Sequence, residues 1–164
     1  LIPRLVERAG NVAGTGSVTA MYTVLAEGDD LTDPVVDASR ACLDGHIVLA
    51  RKLAQQGHFP AVDVLASVSR VMTDIVAKKH RELAQEAREV LSAYRDSADL
   101  IEVGAYAAGS NPRVDRALRC VHEVNRVLRQ SPDDRFSLEQ TLTDLTRALE
   151  NQGPAPSPSK AGAP

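Results

Sequence analysis

No set of chemically capable residues in this sequence matches a catalytic spacing by itself. The histidines lack the H-E-x-x-H or Cys/His spacing of metal ligands; they are His46, His58, His80 and His122. Ser67, His58 and Asp63 are the residue types of a hydrolase triad, but no G-x-S-x-G elbow accompanies them. The phosphate-binding pattern G-x-x-x-x-G-K-[ST] does not occur either. Local motifs therefore predict no metal site, no hydrolase and no phosphate-binding loop in this chain.

The composition argues against several classes of protein. Of the 164 residues, 43% are hydrophobic but only 3% are aromatic, so a core must be built from Val, Leu, Ile and Ala. A formal net charge of −3 argues against a nucleic-acid binder. The longest apolar runs fall short of the roughly 18 residues that span a bilayer, and the start has no signal-peptide pattern. Cys42 and Cys120 lie far apart, which is typical of reduced thiols in a cytosolic protein.

The first part of the chain has the pattern of an α/β fold. Three runs have the apolar, β-branched composition of strands buried in a parallel sheet: residues 17–25, 47–50 and 62–65. Asp33 as N-cap and Pro34 at the first helical position predict a helix between the first two strands. A second short helix is expected over 51–56, ended by Gly57.

Past Met72 the apolar residues recur at helical spacing. Three stripes predict three helices, over residues 83–94, 114–128 and 138–149. The second helix follows Asn111-Pro112, and the third follows the capping box from Ser137 to Gln140. The charged stretch 78–89 is interpreted as a solvated helix face with no site.

These patterns divide the chain into three regions. Residues 1–73 form the α/β part, 74–150 a helical domain, and the Pro/Ala/Ser-rich residues 151–164 a disordered tail. The chain begins without Met inside a predicted helix, so we interpret it as a fragment of a longer protein.

Long ungapped motifs then indicate a family. Residues 16–72 contain GDDLTDP, LDGHIVLAR, FPAVD and SVSRVM in that order. Residues 99–118 read DLIEVGAYAAGSNPRVDRAL, and residues 127–130 read VLRQ. With the opening LIPRLVERAG, this sequence resembles the C-terminal portion of flagellar and type III protein-export ATPases, relatives of the rotary ATP synthase catalytic subunits. The resemblance implies the C-terminal half of a RecA-like parallel-sheet ATPase core, followed by an α-helical C-terminal domain.

The resemblance implies an arginine finger at Arg70, within SVSRVM. Such ATPases form homohexameric rings that bind ATP and Mg²⁺ between neighbouring subunits. One side supplies the phosphate loop, the metal ligands and the catalytic Glu, all expected upstream of this chain. The other side supplies an arginine, whose planar fork of donors suits phosphate oxygens. The alternative is a structural Arg that closes a strand end.

Phe59 stands where the family usually has a Tyr that stacks on adenine, and Phe keeps the stacking face. The alternative is a core aromatic beside Pro60. The second wall of the family's adenine pocket comes from the stretch around VLRQ, where Val127 replaces the usual Phe and leaves that wall open to question.

Three residues match regions that contact partners in the family. Asp29 and Asp30 lie in the acidic loop that faces a central stalk; the alternative is a solvated turn. Tyr106 lies in the GAYAAGSN loop near stalk and substrates, where it is either an exposed anchor or a core residue.

The resemblance implies an export motor that is cytoplasmic and peripheral to the inner-membrane export apparatus. Its implied partners are a central stalk protein, a negative-regulator subunit, export chaperones and substrates, and the membrane export gate. The isolated chain is expected to be inactive. Alternatives are an injectisome ATPase, an ion-translocating ATP synthase subunit and a non-catalytic adaptor. The Ala in GAY favours the flagellar branch.

Overall fold

The computed structural model describes residues 2–26, 28 and 32–150. Asp29, Asp30 and the predicted tail 151–164 lie outside the described residues. The elements in chain order are α1 (Ile2–Val6), β1 (Gly10–Asn11), β2 (Ser17–Val18), α2 (Pro34–Cys42), β3 (Gly45–His46), α3 (Arg51–Gln55), β4 (Val68–Ser69), α4 (Met72–Ile75), α5 (Lys78–Asp96), α6 (Ala98–Glu102), α7 (Pro112–Leu128) and α8 (Leu138–Glu150). Strands therefore precede residue 70 and long helices follow it, as the sequence predicts.

The strand pairs are antiparallel, which differs from the parallel sheet that we expected. Strand β1 pairs with β2, and β3 pairs with β4. The predicted strand 17–25 is wrong in extent, because it pairs only at Ser17 and Val18. Beyond that point Met21 is 87% exposed and Leu25 is 91% exposed. A strand inside a parallel sheet is buried by neighbours on both edges and helices on both faces, and within the described part of the chain residues 19–26 pair with no strand.

The other two predicted strands, 47–50 and 62–65, contact each other through a single antiparallel bridge between Leu49 and Val62. Regular pairing occurs just outside them, between β3 and β4. Gly45 permits this close approach, because a Cβ there would lie 2.5 Å from the carbonyl oxygen of Val68.

Local chemistry sets the start and end of the short helices. The Asp33 carboxylate accepts hydrogen bonds from the backbone N–H groups of Val35 at 2.8 Å and Val36 at 3.1 Å, and Pro34 opens α2. Helix α3 ends just before Gly57, which has a φ of 69°. Both helices thus confirm the predicted signals.

The caps of α7 and α8 also follow the sequence. The Asn111 side chain accepts a hydrogen bond from Arg113 N at 3.0 Å, with Pro112 in the first turn. Ser137 and Gln140 form the reciprocal capping box: Ser137 N donates to Gln140 Oε1 at 2.8 Å, and Gln140 N donates to Ser137 Oγ at 3.1 Å.

The core lies between helices α5, α7 and α8. Its buried residues are Ala87, Val90, Ala93, Ala117, Cys120, Val121, Val124, Ala148 and Leu149. Four alanines among them let the helix backbones approach closely, while Val124 is fully buried at the centre. The predicted apolar stripes supply five of these nine residues, whereas Ala93, Ala117, Cys120 and Ala148 lie outside them, and Leu138 of the third stripe is 65% exposed.

Candidate functional site

An open cleft of about 770 Å³ lies between two segments that are far apart in sequence. One segment follows α3 and the other follows α7. The lining residues are Gly57, Phe59, Pro60, Arg129, Gln130, Ser131 and Pro132. The wall therefore combines an aromatic ring and two prolines with a guanidinium, an amide and a hydroxyl. Apolar faces with a few polar groups are the usual composition of small-molecule sites.

Two contacts hold the walls of the cleft together. Gln130 N donates a hydrogen bond to the carbonyl oxygen of Phe59 at 2.8 Å. Next to it, Arg129 Nε donates to His58 Nδ1 at 3.5 Å. Burial, and then the positive charge of Arg129, lower the pKa of His58 below its usual value. The imidazole therefore stays neutral and accepts this hydrogen bond.

The structure brings together the two stretches that the sequence linked to an adenine pocket. Phe59 is 55% exposed, so its ring lies on the surface rather than in a core. Val127 does not line the cleft but packs against the helical core. The residues after it, Arg129 to Pro132, form the second wall instead.

Arg70 lies at the end of β4 and is not among the residues that line the cleft. Its backbone N–H donates to Asp44 O at 2.8 Å. Its guanidinium donates to two carbonyls at the C-terminal end of α2, those of Arg40 at 3.1 Å and Ala41 at 3.2 Å. The side chain is exposed and uses two of its five N–H donors in these bonds.

Residues 63–67 form a junction with helix α5 that the sequence did not predict. The guanidinium of Arg88 donates to the carbonyls of Val64, Leu65 and Ser67. Interpreting 78–89 as a solvated face was wrong at Arg88, because this residue is half-buried and its guanidinium donates to protein carbonyls instead of water. The signal was weak: no local pattern separates Arg88 from its charged neighbours.

Asp63 and Arg95 form the second half of this junction. Arg95 Nη2 lies 2.8 Å from Asp63 Oδ1, which also accepts from the N–H groups of Leu65 and Ala66. Burial raises the pKa of Asp63, but the Arg95 hydrogen bond and the two N–H groups outweigh it and lower that pKa below its usual value. Asp63 therefore stays ionised as the anchor of this turn.

Ser67, His58 and Asp63 do not form a hydrolase triad in the structure. Asp63 pairs with Arg95, and His58 contacts Arg129. The Ser67 hydroxyl donates to Asp63 O at 2.7 Å and accepts from Val48 N at 3.0 Å. All three residues are occupied by structural hydrogen bonds with other partners.

Tyr106 does not lie in the helical core, and its contact with a partner stays a prediction. The residue is half-buried. Its hydroxyl lies 3.0 Å from Asp115 Oδ1 and 3.1 Å from Asn111 O. Asp115 also accepts from the N–H of Gly109. The loop between α6 and α7 is thereby fastened to the first turns of α7.

Within the described residues 2–26, 28 and 32–150, no group of three or more His, Cys, Asp or Glu side chains stands close enough to hold a metal ion. None of the helices in that part of the chain combines the length and the apolar character needed to cross a membrane.

Two family models match this chain. Residues 1–69 match the ATP synthase alpha/beta family, nucleotide-binding domain. Residues 76–147 match the T3SS EscN ATPase C-terminal domain.

Curated relatives carry names from both branches of export ATPases. The chain is 50% identical over 149 residues to the flagellum-specific ATP synthase of Pseudomonas aeruginosa, covering 90% of this chain and 33% of that protein. It is 46% identical over 147 residues to the type 3 secretion system ATPase of Pseudomonas savastanoi pv. phaseolicola, covering 90% and 32%. The chain thus spans about a third of the length of the curated relatives it matches.

Solved structures agree. The assembled ATPase EscN of the type III secretion system of enteropathogenic E. coli matches with a TM-score of 0.85 and 41% identity, over 90% of this chain and 36% of that one. The same ATPase in complex with its central stalk EscO matches with a TM-score of 0.80 and 39% identity, over 90% and 35%. Sequence and fold together show that this chain belongs to the family of flagellum-specific ATP synthases and type III secretion ATPases.

Proposed function

We propose that the full-length protein containing this chain is an ATP-hydrolysing motor for flagellar protein export. The observation that carries the proposal is the cleft. An exposed aromatic ring faces a polar segment in a chain that matches a nucleotide-binding ATPase model over residues 1–69. The identity of 50% to a flagellum-specific ATP synthase favours the flagellar branch.

In this proposal, residues 1–73 complete a RecA-like parallel sheet in the whole protein. The exposed apolar side chains of Met21, Leu25, Ile47 and Leu49 support it, since strands and helices from the rest of such a core would cover them. Residues 74–150 form the helical domain, and the gap between the two family matches, after residue 69 and before 76, agrees with this division.

Phe59 stacks on the adenine of ATP bound in the cleft, and the amide and hydroxyl groups of the opposite wall bind the polar edge of the base. Both roles suit the chemistry of the site, because every base has a π-face and adenine has hydrogen-bond donors and acceptors along its edge.

Arg70 acts in trans on the nucleotide of a neighbouring subunit, where it stabilises the charge that develops when water attacks the γ-phosphate. Its exposure supports this role, because an exposed guanidinium can reach a neighbouring subunit, and the two carbonyls of α2 use only two of its five N–H donors.

The proposal includes a homohexameric ring around a central stalk. It draws support from the EscN structures, which are of an assembled ATPase and of its complex with the stalk EscO.

The other proposed partners are a negative-regulator subunit, export chaperones and substrates, and the membrane export gate. The location is cytoplasmic and peripheral to the inner membrane. Asp29, Asp30 and Tyr106 are proposed contacts with the stalk or another partner. The Mg²⁺ ligands are proposed to lie in the part of the full-length protein that this chain does not span.

Replacing Phe59 with alanine in the full-length protein is expected to weaken ATP binding about 10- to 100-fold, because base stacking on an aromatic ring contributes about 1–3 kcal/mol. Isothermal titration or a fluorescent ATP analogue measures the change in Kd. Phe59→Tyr retains the ring and should bind within about twofold of wild type.

Phe136→Ala is the matched control, since Phe136 is 53% exposed and does not line the cleft. Unchanged affinity in Phe59→Ala, or an equal loss in both alanine variants, would remove Phe59 from the site.

The isolated 164-residue chain is expected to show no ATP turnover, because it has no phosphate-binding loop. Phosphate release by the purified chain is compared with release by the full-length protein. Turnover that scales with the amount of purified chain would contradict the assignment of the catalytic groups to the rest of the protein.

An injectisome ATPase is the second candidate, because the identity to a type 3 secretion system ATPase, 46%, is nearly as high. The genes beside the full-length gene distinguish the two: flagellar structural genes support the first candidate and secretion-needle genes the second.

A further inference from the structure

Residues 63–70, which we call the finger arm, connect helix α5 to Arg70. The α5 end of the arm is held by Arg95, which pairs with Asp63 at 2.8 Å. Arg88 adds a fork of hydrogen bonds to three carbonyls of the arm, with distances of 3.1 Å to Leu65 O and 3.2 Å to Ser67 O and a shorter contact to Val64 O.

The arm is braced along its length. Asp63 Oδ1 accepts from Leu65 N at 3.0 Å and Ala66 N at 3.1 Å, and the Ser67 hydroxyl donates back to Asp63 O at 2.7 Å. Beyond Ser67, strand β4 pairs with β3, and Arg70 N donates to Asp44 O. Hydrogen bonds therefore link α5 to Arg70 through one bonded turn and strand β4.

We infer that Arg88 is a positioning residue for Arg70: it fixes the finger arm to the helical domain and so sets where the Arg70 guanidinium stands. Only Arg offers a planar fork that reaches several acceptors at once; Lys offers a single point charge. Without the fork, three carbonyls of a half-buried turn lose a charged donor. This inference rests on the proposed trans role of Arg70.

The test is Arg88→Met in the full-length protein, a change that keeps an unbranched apolar stem but removes the guanidinium and all its donors. We expect kcat for ATP hydrolysis to fall about 10- to 100-fold, because a misplacement of 1 Å can cost about 10²-fold. KM and Kd for ATP should stay within about twofold. Arg88→Lys should fall between Arg88→Met and wild type, and it serves as the test variant if Arg88→Met does not assemble.

Arg81→Met is the matched control. Arg81 lies on the same helix and also donates to a backbone carbonyl, Thr73 O at 3.1 Å, which lies outside the finger arm. Its kcat should remain within about twofold of wild type. A drop in kcat equal to that of Arg88→Met would mean that any hydrogen bond from an α5 arginine to a backbone carbonyl affects the rate. That result would overturn the inference.

A double-mutant cycle separates positioning from general stability. In an Arg70→Ala background, adding Arg88→Met should change the residual rate by less than about twofold, because Arg88 acts through Arg70. A purely structural role would lower the rate by the same factor in both backgrounds, and that result would overturn the inference, as would a wild-type kcat in Arg88→Met and Arg88→Lys. If Arg70→Ala alone leaves kcat unchanged, the proposed trans role itself fails, which is a distinguishable outcome.

Discussion

Replacing Arg70 with alanine in the full-length protein is expected to lower kcat for ATP hydrolysis by about 10³- to 10⁵-fold, the range found for arginines that act in trans on phosphoryl transfer. This loss corresponds to about 4–7 kcal/mol of transition-state stabilisation. The Kd for ATP should change by less than about twofold, because the finger acts on charge that develops after binding. Steady-state phosphate release and equilibrium nucleotide binding measure the two quantities.

The same substitution also removes two hydrogen bonds to the end of α2, at Arg40 O and Ala41 O. A net hydrogen bond contributes only about 0.5–1.5 kcal/mol to stability, so the melting temperature should shift little while the rate collapses. Arg70→Lys keeps the charge without the fork and should recover only a small part of the rate. A variant that melts far below wild type with a proportionate loss of activity would favour the structural role of Arg70.

Mixing subunits provides a sharper control. Mixed hexamers can combine Arg70→Ala subunits with subunits that are unable to bind nucleotide. At some of their interfaces, the intact nucleotide site of an Arg70→Ala subunit faces the intact Arg70 of the other variant. If Arg70 acts in trans, such mixtures regain turnover that neither variant has alone. Absence of any recovery in assembled mixed rings would contradict the trans assignment.

The helical half was predictable because its signals are local. An Asn or Ser before an apolar stripe satisfies the free N–H groups of a first turn whatever the rest of the chain does. Asn111 and Ser137 therefore begin α7 and α8 where the sequence says they should. The apolar stripes are local signals too. Each helix has one apolar face, and the three faces bury one another in the core.

The strands were predicted poorly because their burial depends on partners. Val18, Val24 and Leu25 have the composition of a central strand, yet all three are exposed. No property of residues 17–25 alone says which strands lie beside them. A chain that spans a third of its relatives' length therefore shows an apolar pattern without the burial that the pattern indicates.

Family resemblance predicted the candidate site, and the structure shows which residues line the cleft. Resemblance paired Phe59 with the VLRQ stretch, and the structure joins Phe59 O to Gln130 N at 2.8 Å. Val127, which replaces the family's usual Phe, packs against the helical core, and Arg129 to Pro132 line the cleft opposite Phe59. The roles of Arg88 and Arg95 depend on contacts across more than twenty residues of sequence, and no spacing rule reveals them.

Replacing Val124 with aspartate is expected to destabilise the helical domain by about 3–5 kcal/mol, a large part of the roughly 5–15 kcal/mol that stabilises a typical domain. Val124 is fully buried among alanines of α5, α7 and α8, so a carboxylate there has neither water nor a cation to compensate its burial. A domain of this size should melt about 15–30 °C lower. Far-ultraviolet circular dichroism during heating measures the shift in the full-length protein.

His122→Asp is the matched control, because His122 is an exposed residue of the same helix and receives the same new group. Its stability should stay within about 0.5 kcal/mol of wild type. Val124→Ala, which removes volume without adding charge, should lie between the two. If Val124→Asp and His122→Asp have the same melting temperature, water reaches position 124. The three-helix core then does not hold this domain together. In that case the helical domain could not hold Asp63 and Arg88 in fixed positions. The finger arm would then have to be positioned by α2 and β3 alone.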